Sequence, residues 1–346
     1  METFFLPNAQ QAKSLRSSMS SLLLEGLKSL VPLPSSLDKD KLIEALETPH
    51  YARPLDFAAY FDLLSVSTYQ TFHTTTVQTN LAQHYAADSL RHLTHFSPVA
   101  SATPATPRIS SLSSGFYHPD HIESLIRWWD MEPNNSPQLT AVSENSLLSA
   151  SNDIHLALTH LQLAAPEMYQ EVITVVSDIV LAQPGKDSRM AFGGISSFCS
   201  WGSICLNQVR HAGWTDYYKK IVHECSHLVL FAIARNEPLV LNGPTDTCSS
   251  PLRMESRPID GVFHAAFVSA REALALDACI TFLEELDENS KDDSAKESLE
   301  RHLHSSVLAF WDCYDQLTAH ANLSELGERV LNEAKEYMLE NFEVLT

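Results

Sequence analysis

Basic side chains are scarce in this chain of 346 residues: 23 Lys and Arg stand against 43 Asp and Glu, a net charge of −20. That imbalance argues against nucleic acid and anionic membrane surfaces as partners. A cysteine framework is missing as well. Cys199, Cys205, Cys225, Cys248, Cys279 and Cys313 form no CxxC pair and no regular spacing. They read as reduced thiols, which points to a cytoplasmic protein. No apolar run reaches transmembrane length. The opening METFFLPNAQQAKSLRSS lacks a basic segment followed by a long apolar stretch, so no signal peptide is expected. No internal repeat is found.

Against these absences stands Ile221 to Ala234, reading IVHECSHLVLFAIA. Apart from His223, Glu224, Ser226 and His227, its side chains are apolar or Cys. Wound as a helix they cover almost the whole circumference, as in a helix buried inside a domain. A buried helix carries His and Glu only where something pairs with them. His223 and His227 are i and i+4, one turn apart on one face. This is HExxH, two imidazoles aimed at one metal ion with the Glu224 carboxylate beside them. Asn236-Glu237-Pro238 closes the helix, because Pro cannot continue one.

Around it the chain reads as predominantly helical α+β. Residues 1–95 form an N-terminal helical region, in which AQQAKSLRSSMSSLLLEGLKSL and KDKLIEALETPHYARPLDFAAYFDLLSVS repeat apolar residues at three and four. Residues 96–115, rich in Ser, Pro and Thr, read as a loop or linker. Residues 116–288 form the expected metal-dependent catalytic core. Within it His118–Trp129 and Ile154–Ala165 are helical, and the β-branched Val172–Leu181 reads as a strand. ISSFCSWGSICLNQ supplies one or two more strands, and Pro238–Pro258 is irregular. Gly261–Leu286 is a second long helix. Residues 289–346 give C-terminal helices that pack on the core. A small sheet packed on the HExxH helix is the layout of zincin-type domains. By that analogy the strand near Gly202 to Asn207 borders the substrate cleft.

Two His hold a metal weakly, so a third protein ligand is expected downstream. His264, in GVFHAAF, and Glu272, in AREALAL, are the candidates; Asp260 and Asp277 are less well placed. His264 would give a three-His site; Glu272 would give two His and a carboxylate, which suits zinc hydrolases and non-haem iron oxygenases alike. Arg271 lies two helical turns beyond His264, about 10 Å along the axis. A guanidinium there could clamp the far end of a metal-chelating dicarboxylate. Arg253 and Arg257, in SPLRMESRP, offer two more clamps. Asn207 and Asn242 are candidates for contact with a substrate backbone, although each also suits the end of a strand or turn.

These segments, in order, resemble a known family. The strand ending in Leu206-Asn207, His223-Glu224 and His227 on an apolar helix, FAIARNEPLVLN, and SPLRMESRPIDGVFHAAFVSAR are similar to the 2-oxoglutarate-dependent HExxH-type peptide β-hydroxylases. These belong to the HExxH-containing proteins that modify ribosomally made peptides. The similarity spans about a quarter of the chain. It implies an Fe(II) centre with His223, His227 and His264 as ligands, and 2-oxoglutarate held by one or more of Arg271, Arg253 and Arg257. It further implies O2 as oxidant and a precursor peptide hydroxylated at a side-chain β-carbon. Glu224 would orient water or substrate. Glu272 stands where the resemblance leads one to expect an apolar or small residue, so a carboxylate ligand stays open. The rival expectation is a zinc metallopeptidase with Glu224 as general base.

Overall fold

The computed structural model describes residues 3–29, 52–72, 106–130, 137–186, 188, 192–211, 213–249, 256–286 and 293–342. Arg253, the segment KDKLIEALE and residues 96–105 lie outside the described residues. Helices dominate. In chain order they are α1 (Ala9–Ser29), α2 (Pro54–Phe72), α3 (Pro119–Trp129), α4 (Glu144–Ala164), α5 (Pro166–Val175), α6 (Trp214–Ile233), α7 (Ile259–Leu286), α8 (Asp293–His320) and α9 (Glu325–Asn341). The strands are β1 (Arg108–Ser111), β2 (Thr140–Ala141), β3 (Asp178–Gln183), β4 (Gly194–Ser196), β5 (Ser203–Asn207), β6 (Thr247–Ser249) and β7 (Ser256–Pro258). No described helix is long and apolar enough to cross a membrane.

The chain divides into two compact units. One comprises residues 13–150 and 173–210 and holds a small mixed sheet. Its strand order is β1-β3-β5-β4, with β2 paired to β3. β1/β3 and β3/β5 are parallel, while β4/β5 and β2/β3 are antiparallel. The inner strand β3 carries Ile179, Val180, Leu181 and Ala182, all fully buried. Such an unbroken apolar run suits a strand covered on both faces. In the same unit, Asp62 of α2 accepts from Ser124 Oγ (2.6 Å) and Trp128 Nε1 (3.0 Å) and pairs with Arg127. That ties α3 to α2.

Two readings of the sequence are corrected here. Within the expected linker, Arg108–Ser111 is a strand in register with Asp178–Leu181. Its serines are buried because their hydroxyls are partnered: Ser110 with Tyr117 (2.7 Å), and Ser111 as acceptor from Val142 N–H (3.1 Å). Val172–Val175 is the end of α5, and the strand begins only at Asp178. Pro166 starts α5 at a position that needs no N–H. Met168, Tyr169, Val172 and Val175 are buried at helical spacing, so packing overrides the β-branched preference. In the sheet, β5 lies between β3 and β4.

The second unit comprises residues 1–12, 151–172 and 211–346. The sheet and the HExxH helix thus fall in different units, and residues 116–288 are shared between the two. Here α7 packs chiefly against α8 and α6. Its buried face runs from Ile259 to Ile280 and includes several alanines, which allow helices to approach closely. α6 ends where Ala234 N–H caps onto the Leu230 carbonyl. Gly327 in the first turn of α9 lies so close to the Leu239 carbonyl that a Cβ would overlap it. The same carbonyl accepts from Ser324 N–H at 3.0 Å.

Candidate metal centre

The centre lies wholly within this second unit. α6 sets its geometry through the i, i+4 repeat: the imidazoles of His223 and His227 have ring centroids 4.9 Å apart. Glu224, 2 % exposed, lies within 4.0 Å of two basic groups, Lys220 Nζ (3.7 Å) and His223 Nε2 (3.9 Å). His223, Glu224 and His227 each bring one potential ligand atom to within 4.8 Å of the others. α7 adds His264. Its Nδ1 is 3.1 Å from His227 Nδ1, one nitrogen donating and the other accepting. Phe231, one turn past His227, stands beside the His264 ring at 5.1 Å between centroids.

The electrostatics keep the His227 and His264 rings uncharged. Burial drives His227 well below the ordinary histidine range, and the positive ends of His223, His264, Lys220 and Arg257 push the same way. Burial also lowers His264. Asp260 pulls it upward and Arg257 opposes that pull. A neutral imidazole has a free lone pair, which is the form that binds metal. The two imidazoles and the carboxylate of α6, with His264 of α7 beside His227, are donors suited to a borderline cation such as zinc or iron.

Glu272 is present but faces elsewhere. Its Oε1 is 2.6 Å from His223 Nδ1, and its Oε2 accepts from Ser306 Oγ of α8 at 2.6 Å, with Lys219 Nζ at 3.5 Å. Burial would raise this carboxyl, but Lys219 and His223 outweigh burial and hold it down at about 2. Of the two candidate third ligands, His264 touches His227, whereas Glu272 braces His223 from the far nitrogen.

The arginines separate. Arg257, on β7 opposite Cys248, acts on both His227 and His264 through its charge. Arg253 lies outside the described residues. Arg271 is the correction. It is fully buried, ion-paired to Glu171 and donating to the Phe5 carbonyl. It donates further to Ser226 Oγ (3.0 Å) and Met168 Sδ (3.4 Å). Every guanidinium nitrogen is taken, so none is left for a dicarboxylate. A buried Arg needs such partners, and the seven-residue spacing from His264 could not reveal that Glu171 supplies them.

Asn207 donates to the Phe192 carbonyl at 2.7 Å and accepts from Val209 N–H. Asn242 bonds to His320 and Asn322. Both therefore end their strand or turn. Lys219, Ser306 and Glu171 were not singled out from sequence. Lys219 sits one turn before His223, a findable signal. Ser306 lies 34 residues from Glu272, and nothing local links them. No protein-family model matches this chain, and no curated protein sequence matches it either.

Proposed function

We propose that this chain is an Fe(II)- and 2-oxoglutarate-dependent oxygenase that hydroxylates a side-chain β-carbon of a ribosomally made precursor peptide. The observation that carries this reading is the group of His223, His227 and His264, two of them held neutral, beside the positive charge of Arg257. The three imidazoles would hold the metal, and Arg257 would pair with the far carboxylate of 2-oxoglutarate. Bound there, Fe(II) would supply the redox chemistry by which O2 is consumed: one oxygen enters succinate as 2-oxoglutarate loses CO2, the other enters the peptide. Glu224, next to Lys220, has no proton to remove in that reaction and would orient substrate. A zincin-like core and a cytoplasmic setting belong to the same proposal.

One observation favours a second reading. The Glu224 carboxylate is within 3.9 Å of His223 Nε2, where the general base of a zinc metallopeptidase would serve. An anaerobic titration separates the two. Fe(II)-loaded protein should develop a weak visible charge-transfer band that saturates with 2-oxoglutarate. The band should vanish in His264→Ala and weaken in Arg257→Ala. No band, with tight zinc binding and a peptide cleavage lost in Glu224→Gln, would replace the oxygenase with the peptidase.

A further inference from the structure

The Glu272 carboxylate is nearly buried, 4 % exposed, and sits among three helices. It costs free energy there unless its lone pairs are used. They are used with a clear division of labour. Oε2 takes the Ser306 hydroxyl (2.6 Å) and faces Lys219 Nζ (3.5 Å). Among the described residues, Oε1 meets His223 Nδ1 at 2.6 Å. The carboxylate is therefore clamped from α8 and from the preceding turn of α6, and its imidazole contact points toward the candidate centre.

An ionised carboxylate can only accept, so the short contact requires the proton on His223 Nδ1. In a neutral imidazole the other nitrogen, Nε2, then carries the lone pair. Nε2 is also the atom that faces Glu224 Oε1 at 3.9 Å. We propose that Glu272 is a positioning residue: clamped by Ser306 and Lys219, it fixes the tautomer and ring orientation of His223 so that Nε2 is offered to a divalent cation. This rests on the metal-centre reading for the cation, though not for the tautomer. It also assigns Glu272 a role distinct from ligation. A carboxylate that bonds a ligating histidine raises the basicity of the ring, and losing it typically weakens metal affinity by about 10–100-fold.

Two measurements on the full-length protein test this. Competition titration with Co(II) against a chromophoric chelator should show Glu272→Ala weakened about 10–100-fold. Glu272→Gln keeps the shape but loses the charge, and Ser306→Ala loosens the clamp; both should fall between it and the parent. In the metal-free protein at mildly alkaline pH, the ring nitrogen shifts of His223 should report a single Nδ1–H tautomer, becoming a mixture in Glu272→Gln. A merely structural Glu272 would leave that signature unchanged. If Glu272→Ala does not fold, the Gln and Ser306 variants decide. Parent-like affinity and tautomer in Glu272→Gln would overturn the proposal. A parent protein that binds no Co(II) would overturn the metal centre, while the nitrogen shifts would still decide whether Glu272 fixes the ring.

Discussion

Replacing Arg271 by Met removes the centre of a buried polar network while keeping most of its volume. Arg271 is fully buried and its ion-pair partner Glu171 is 2 % exposed. Burial already pushes the Glu171 carboxyl upward against the pull of Arg271. Without the guanidinium, Glu171 is stranded and the Phe5 carbonyl loses its donor. Breaking one side of a buried pair costs about 3–5 kcal/mol, a large share of a typical domain stability of about 5–15 kcal/mol. The cost should depend on pH. Stranded Glu171 has its folded pKa raised far above the unfolded value, so the variant gains stability relative to the parent as the pH falls, by up to about 1.4 kcal/mol per unit. The double variant Arg271→Met/Glu171→Met removes the unpaired charge. It should recover all but about 1–3 kcal/mol, the share of the Phe5 carbonyl left without a donor. Urea unfolding of the three proteins at neutral and mildly acid pH measures these terms. A loss below about 1 kcal/mol in Arg271→Met, with weakened 2-oxoglutarate binding by the folded variant, would refute the structural role and return Arg271 to the cosubstrate.

Metal-free protein should lose stability as the pH drops below the ordinary histidine value of 6.5, because His227 and His264 resist protonation when folded but not when unfolded. The unfolded chain then binds more protons, so stability falls by as much as about 2 kcal/mol between neutral pH and about pH 5.5. Glu272 adds a loss at lower pH, as its unfolded value of 4.5 is passed on the way to about 2; a flat unfolding midpoint across this range would contradict both the burial of the two imidazoles and the pull of Lys219 and His223 on Glu272. Gly327→Ala should destabilise by about 1–3 kcal/mol, although Ala favours a helix by about 1 kcal/mol, since the added methyl meets the Leu239 carbonyl. Thermal unfolding reads the sign directly, and a stabilised variant would mean that the Leu239 segment moves aside at little cost.

Much of the local structure is legible in the residues. Pro119 and the apolar spacing of α3 announce that helix, and α6 and α7 follow from runs too apolar to lie at a surface. Val172–Val175 misleads because side-chain branching is a weak preference, whereas burial at helical spacing is decided by what packs there. β1 is hidden for a related reason. Its serines look like loop residues until Tyr117 and Val142 satisfy them.

The functional residues divide along the same line. The alignment of His223 with His227 needs only the pitch of one helix, so the sequence by itself determined it, together with the burial that makes those polar groups costly. Which downstream residue meets them depends on how α7 crosses α6 and on where α8 lies. Only the tertiary structure could bring His264 to His227, turn Glu272 with Ser306 onto the far side of His223, and commit Arg271 to Glu171. These pairings join residues 34 to 100 positions apart. At such separations no local periodicity constrains which side chains meet, and packing and the cost of an unpaired buried charge decide instead.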